Sequence, residues 1–321
     1  MRKKVKVFVT RQIPQKGLEM LKARFEVEIG ASDRNLSRRE ICEGTKDADA
    51  LVCLLSDAID EEILSGAKKL KIIANYAVGY NNINVEYAKE HGIFVTNTPG
   101  VLTETTADLT WALMLSVARR IVEADKFTRS GKFKGWEPEL MLGSDVFGKT
   151  LGVIGAGRIG QAVMKRAIGF GMRVIYYSKS RLPLDIESNL NASYVSLEKL
   201  LKEADFVSLH VPLTKNTYHM IGEDQLSLMK RTAYLINTAR GPVVDEEALV
   251  KFLKEKRIAG AALDVFENEP LLTPGLTELD NVVITPHIGS ASKETREKMS
   301  VIVAENVIAA LEGKIPPNCV N

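Results

Sequence analysis

Three residues of chemically useful types each stand just past a strand-like apolar run. Arg240 follows Tyr234–Asn237, Glu269 follows Ala261–Val265, and His287 follows Val282–Thr285. The chain has only four histidines, at positions 91, 210, 219 and 287. An imidazole is the side chain best suited to give and take a proton near neutrality. A guanidinium is planar, stays charged and matches a carboxylate with two parallel hydrogen bonds. A cation that holds a carboxylate and polarises a neighbouring keto oxygen, beside an acid–base group, is the equipment for reversible reduction of a keto acid. Open α/β sheets bind ligands outside the carboxyl ends of their strands, so the three residues are expected to meet at one sheet edge. Each taken alone reads equally as a surface loop charge. His210 ends an apolar strand and reads as structural, while His91 and His219 read as loop or helix-end residues.

The strongest local motif is Gly155-Ala156-Gly157-Arg158-Ile159-Gly160, directly after the apolar run Leu151–Ile154 and at the start of a helical pattern. That context makes the glycines meaningful. Gly155 permits a tight turn, Gly157 lets the backbone approach a pyrophosphate, and Gly160 lets the helix lie close on the strand. The helix N-terminus offers N–H groups and a positive dipole end to the phosphates. An NAD site would carry Asp or Glu at the end of the next strand, roughly 20 residues on, to bind the ribose 2′-OH. Here the strand Arg173–Tyr177 runs into Ser178, Lys179, Ser180 and Arg181. Two cations and two hydroxyls suit a 2′-phosphate, so the reading favours NADP(H) over NAD(H). As plain solvated loop charges, Lys179 and Arg181 would leave either cofactor possible.

These positions need a scaffold of parallel sheets. With 321 residues, 45% hydrophobic and 26% charged, the chain is long enough for two domains of ordinary globular composition. A net charge of +2, with scattered cations, excludes the basic face of a nucleic-acid binder. No run reaches membrane-spanning length, and the start is too short in apolar residues for a signal segment. Cys42, Cys53 and Cys319 have no metal-ligand spacing, so no metal is expected. They read as free thiols of a cytoplasmic protein. Strands are predicted at Val5–Val9, Phe25–Ile29, Ala50–Leu55, Lys71–Asn75 and Phe94–Thr96, with helical stretches between most of them. A second series is predicted at Leu151–Ile154, Arg173–Tyr177, Phe206–Val211, Tyr234–Asn237, Ala261–Val265 and Val282–Thr285. The alternation predicts an α/β protein of two doubly wound domains. Thr103 to about Arg129 reads as one long helix with Thr103 as its N-cap. A last helix, from about Ser292 to Leu311, is expected to pack through Val301, Ala304, Ile308 and Leu311.

Several segments occur together in order: Val101–Asp108, the glycine turn, His210-Val211-Pro212-Leu213-Thr214, Asn237–Gly241, Gly260–Pro270 and Pro286–Ser290. With them the chain resembles the D-isomer-specific 2-hydroxyacid dehydrogenases over essentially its whole length, and is most similar to their glyoxylate/hydroxypyruvate reductases. The resemblance implies a Rossmann dinucleotide-binding domain over 99–290 and a flavodoxin-like substrate domain made of 1–98 and 291–321, with a cleft that closes on substrate. It implies that Arg240 grips the substrate carboxylate and keto oxygen and that His287 exchanges the proton. Glu269 would orient the His287 ring and stabilise its imidazolium. Asp264 would hold the nicotinamide carboxamide, Thr106 would lie against the ring, and Pro212 would flank the adenosine. Gly157 through Gly160 would contact the pyrophosphate and Lys179 through Arg181 the 2′-phosphate, with Thr238 and Gly289 as further cofactor neighbours. Leu54 and the N–H groups of Val78 and Gly79 match the family's substrate-side segments, though they read equally as core and turn. The resemblance also implies a homodimer built on Thr103–Arg129 and the arm after it, with Trp136 reaching a neighbouring active site. Phosphoglycerate or another D-2-hydroxyacid dehydrogenase remains an alternative, as does a dinucleotide-sensing protein like the C-terminal-binding co-repressors. A formate-oxidising relative is disfavoured, because Gln would stand at position 269.

Overall fold

The computed structural model describes residues 5–321. The chain forms two compact units, 1–102 with 290–321 and 103–289. Strands of the first unit are β1 (Lys6–Arg11), β2 (Glu26–Ala31), β3 (Ala50–Cys53), β4 (Ile72–Asn75) and β5 (Phe94–Thr96). Its helices are α1 (Gln15–Lys22), α2 (Arg38–Thr45), α3 (Glu61–Gly66) and α4 (Val85–Glu90). All strands pair in parallel, in the order β2-β1-β3-β4-β5, so Val7 lies opposite Val27 on one side and Ala50 on the other. This is the flavodoxin-like order. Strands β3 and β4 are buried throughout, as parallel strands covered on both faces must be. Ser37 caps α2 and Glu40 reaches back to the Ser37 N–H, a reciprocal cap.

The second unit opens with α5 (Thr103–Ala118) and α6 (Ile121–Arg129). Its strands are β6 (Thr150–Ile154), β7 (Arg173–Tyr177), β8 (Ala192–Tyr194), β9 (Phe206–Leu209), β10 (Tyr234–Asn237), β11 (Gly260–Leu263) and β12 (Val282–Ile284). Between them run α7 (Arg158–Ala167), α8 (Leu184–Leu190), α9 (Leu197–Glu203), α10 (Glu223–Leu228) and α11 (Glu246–Lys254). The seven strands are parallel, in the order β12-β11-β10-β9-β6-β7-β8. Its first six strands in chain sequence thus stand in the 3-2-1-4-5-6 order of dinucleotide-binding sheets, whose ligand crevice lies where the order reverses. Here that point lies between β6 and β9.

Three expectations need correction. The long helix over Thr103–Arg129 is two helices, because Arg120 adopts a left-handed conformation (φ 54°) and ends the hydrogen-bond ladder. Arg120 then forks onto Glu123 at 2.6 and 2.8 Å. Thr103 is already helical rather than an N-cap. The last helix, α12 (Lys293–Leu311), returns to the first unit and packs on α1, β3, β4 and β5. It buries Met299, Ser300, Val303, Ala304, Asn306, Val307 and Ala310, while Val301, Ile308 and Leu311 stay half-exposed. The helix carries apolar residues on nearly every side, so spacing alone did not select the inner face.

Candidate active site

The residues at the ends of β10, β11 and β12 are assembled by three local devices. Asn237, the last residue of β10, braces the following turn: its amide accepts from the Ala239 N–H and donates to the Arg240 carbonyl, both at 3.0 Å. The next residue is Gly241, and a Cβ there would stand 1.9 Å from the Phe266 carbonyl. Only glycine lets the Arg240 loop press onto the backbone that leads to Glu269. Asp264, 1% exposed at the end of β11, ties down the third loop. One carboxylate oxygen accepts from the Ile288 N–H (2.8 Å) and the Thr285 hydroxyl (2.6 Å), the other from the Gly289 N–H (2.7 Å). Burial pushes the Asp264 carboxyl up, against these hydrogen bonds.

That loop holds His287 at φ 53°, a conformation costing about 1–3 kcal/mol for a residue with a Cβ. Its N–H bonds to the Asp264 carbonyl at 2.9 Å. The reward is aim: His287 Nδ1 lies 2.8 Å from Glu269 Oε2. Glu269 Oε1 meanwhile accepts from the Phe266 N–H at 3.0 Å. Burial works against ionisation of Glu269. The hydrogen bond and charge of His287, the Phe266 N–H and the Arg240 guanidinium outweigh it, so the carboxyl sits below its usual range. An ionised carboxylate only accepts, so Nδ1 carries a proton and Nε2 is left for other business. Burial lowers Arg240 and the Glu269 charge opposes that shift, which puts the two within electrostatic reach.

The glycine turn follows β6 at the point where strand order reverses. Gly155 has φ 101°, and a Cβ on it would strike the His210 carbonyl at 2.7 Å, across the gap to β9. A Cβ at Gly160 would stand 2.0 Å from the Gly155 carbonyl oxygen, whereas one at Gly157 would meet nothing within 4 Å. Gly157 is the N-cap of α7, and no side chain caps that end. Open space over an uncapped helix start fits a dinucleotide pyrophosphate. Arg158 is exposed and Ile159 half-buried there. Thr106, Asp264 and Gly289 come together: a Cβ on Gly289 would lie 3.3 Å from Asp264 Oδ2 and 3.5 Å from Thr106 Cγ2. Thr238 is nearby in the network, 2.9 Å from the Thr110 hydroxyl, which itself bonds the Thr106 carbonyl. The Pro212 carbonyl accepts from the Thr217 hydroxyl.

Beyond β7, Lys179, Ser180 and Arg181 are exposed and Ser178 half-buried. Arg181 is not a loose cation. It forks onto Glu187 of α8, Nε to Oε1 at 2.9 Å and Nη2 to Oε2 at 2.8 Å. The Tyr176 hydroxyl also donates to Glu187 Oε1, at 2.5 Å. Arg181 and Tyr176 together hold the Glu187 carboxyl down at about 2. Sequence reading passed over Glu187, because neither α8 nor β8 was expected. It also passed over a second imidazole–carboxylate pair, His219 Nε2 to Glu267 Oε1 at 2.6 Å. His210 bonds the Ser208 hydroxyl, and burial lowers its imidazole to about 3. His91 stacks on Tyr87 at 4.0 Å.

In the first unit, the Ala77 carbonyl accepts from the Thr98 N–H (2.9 Å) and the Val78 carbonyl from the Asn97 amide (2.8 Å). In planar trans peptides the N–H groups of Val78 and Gly79 each point away from the carbonyl of the same peptide. Leu54 heads a turn closed by Asp57, which accepts from its N–H at 2.8 Å. Among the described residues no group of three or more His, Cys, Asp or Glu is arranged to hold a metal, and no helix is long and apolar enough to cross a membrane.

Sheet order and glycine turn together define a dinucleotide-binding α/β protein with an imidazole, a carboxylate and a guanidinium clustered on one sheet edge. Residues 111–289 match the family model for the NAD-binding domain of D-isomer specific 2-hydroxyacid dehydrogenases, and the chain belongs to that family. It is 58% identical to a glyoxylate reductase of Thermococcus litoralis, over 99% of this chain and 97% of that one. A glyoxylate reductase of Korarchaeum cryptofilum is also 58% identical, over 99% of this chain and 96% of that one. Among solved structures, a Thermus thermophilus protein superposes with a TM-score of 0.93 at 50% identity, covering 99% of this chain and 100% of the other. An NADPH-dependent glyoxylate/hydroxypyruvate reductase of Sinorhizobium meliloti, solved with NADP and malonate, superposes with a TM-score of 0.88 at 32% identity, covering 99% and 97%.

Proposed function

We propose that this protein reduces glyoxylate and hydroxypyruvate to glycolate and D-glycerate with NADPH in preference to NADH. The observation that carries the reading is the 2.8 Å contact of His287 with an ionised Glu269, on the sheet edge that also bears Arg240. Arg240 takes the substrate carboxylate and draws charge from the keto oxygen. Proton delivery to that oxygen falls to His287 Nε2, since Nδ1 is committed to Glu269. The carboxylate stabilises the imidazolium until it discharges. A bound reduced nicotinamide supplies the hydride. Gly157, Arg158, Ile159 and Gly160 would hold its pyrophosphate on the turn that Gly155 makes, with Thr106, Pro212, Thr238, Asp264 and Gly289 around the remainder. Asp264 keeps one lone-pair direction on Oδ2 for a carboxamide beside its duty to the His287 loop. Oriented N–H groups at Val78 and Gly79, with Leu54, suit the substrate carboxylate.

The NADPH preference is supported by Ser178 standing where an acid would favour NAD, with Lys179, Ser180 and Arg181 after it. We further assign self-association as a homodimer to the exposed apolar stretch Ile121, Val122, Phe133, Trp136, Leu142 and Phe147. A cytoplasmic setting is supported by Cys42, Cys53 and Cys319 being free thiols. Following absorbance of NADPH and then NADH with glyoxylate, hydroxypyruvate and phosphohydroxypyruvate tests the whole reading. Highest kcat/KM for glyoxylate with NADPH is expected. Turnover confined to phosphohydroxypyruvate would make the protein a phosphoglycerate dehydrogenase, and dinucleotide binding without turnover would make it a sensor.

A further inference from the structure

We propose that Glu187 is a positioning residue for cofactor choice, clamping Arg181 in the orientation that receives the 2′-phosphate of NADPH; the inference rests on the Ser178–Arg181 loop being the 2′-phosphate site. The three partners come from three elements: Tyr176 from β7, Arg181 from the loop, Glu187 from α8. The Glu187 side chain is only 7% exposed, while that of Arg181 is 57% exposed. A carboxylate taken so far out of water has to be paired, and here every hydrogen bond to it comes from this cluster. The Leu182 N–H then donates to the Tyr176 hydroxyl at 2.8 Å, so the loop is tied on both sides of the arginine.

Two consequences follow from the geometry. First, Glu187 is not placed as the acid that accepts a ribose 2′-OH in NAD sites: it stands on α8 rather than at the end of β7, and three of its four acceptor directions go to Tyr176 and Arg181. Second, Arg181 spends one edge of its guanidinium, Nε and one Nη2 hydrogen, on Glu187. The other edge, with Nη1, has three of the five N–H donors outside this pair, in the plane that the fork sets. A planar fork held that way matches a phosphate, and its rotamer freedom is already lost before the cofactor arrives. The alternative physical effect has the opposite sign. Glu187 cancels the charge of Arg181, and if long-range attraction decided binding, removing the carboxylate would tighten NADPH.

Steady-state kinetics with glyoxylate on Glu187→Gln, Arg181→Ala and the double variant separates these effects. Arg181→Ala is expected to raise KM for NADPH while leaving KM for NADH unchanged. Were it to leave NADPH unaffected, the loop would not be the 2′-phosphate site, and both that reading and the clamp would fall. Glu187→Gln is expected to raise KM for NADPH by about tenfold, or about 1.4 kcal/mol. It should change KM for NADH by less than about twofold on the same scale, and add nothing in the Arg181→Ala background. An unchanged or lower KM for NADPH would overturn the clamp and leave the 2′-phosphate site standing. An equal rise for both cofactors would reduce Glu187 to a structural role and overturn it as well. Calorimetry of 2′,5′-ADP against 5′-AMP on the same variants gives the answer without turnover: only the former is expected to weaken in Glu187→Gln.

Discussion

His287 sits in a backbone conformation that residues with a Cβ avoid, and Asp264 spends three hydrogen bonds keeping its loop there. Such strain survives where geometry matters more than local comfort. If the ring is the proton donor, His287→Ala should lower kcat about 10²–10⁴-fold. Calorimetric dinucleotide affinity should stay near that of the unaltered protein, and its loss would make the residue structural. Arg240→Ala should abolish measurable reduction of glyoxylate, and wild-type turnover would refute its role. Glu269 gives a pH argument. Its folded-state carboxyl lies below the ordinary 4.5, held there mainly by His287 against the cost of burial. A carboxyl depressed by folding stabilises the protein above its unfolded value, and that contribution fades as pH falls below about 4.5 through the folded one. Glu269→Gln should therefore flatten the acid-side loss of thermal stability.

At the scale of elements, the glycine turn separates packing from binding. A Cβ at Gly160 would enter the Gly155 carbonyl, so Gly160→Ala should cost about 1–3 kcal/mol, read as a lowered Tm. Gly157→Ala meets open space and has a φ of −72°, so its Tm should hold while its Kd for dinucleotide rises. Equal melting losses in both variants would refute this division. Much of this level was legible from the chain alone. Most strands are short apolar runs, and their alternation with helical stretches points to parallel, doubly wound sheets. Three things escaped because the spacing of residue types does not encode them. The break at Arg120 rests on one left-handed residue without glycine. The inner face of α12 is chosen by what packs on it, since its outer face is apolar too. The carboxylates at 187 and 267 gain meaning only beside Arg181 and His219. The residues of the sheet edge stood out by type, but the role of Gly241 in pressing two loops together shows only in the folded backbone.

For the whole molecule, Trp136 is 85% exposed and Phe147 75%, within a segment that has no regular structure. This is the stretch to which the proposed homodimer is assigned, since exposed apolar area is the kind of surface that association covers. Sedimentation should give a dimer for the wild type and a smaller species for Phe133→Asp with Trp136→Asp. A wild-type monomer would remove the surface from consideration. The path of the chain has a separate genetic consequence. Both termini belong to the first unit, and α12 and the tail complete it: Val320 donates to the Val95 carbonyl, and Asn321 accepts from the Val95 N–H. The second unit is thus an insert encoded by one continuous stretch, whereas the first is assembled from the two stretches that flank it. A stop codon anywhere within the insert deletes the closing helix of its host, so truncation from the C-terminus damages the first-made half of the protein before the last-made one.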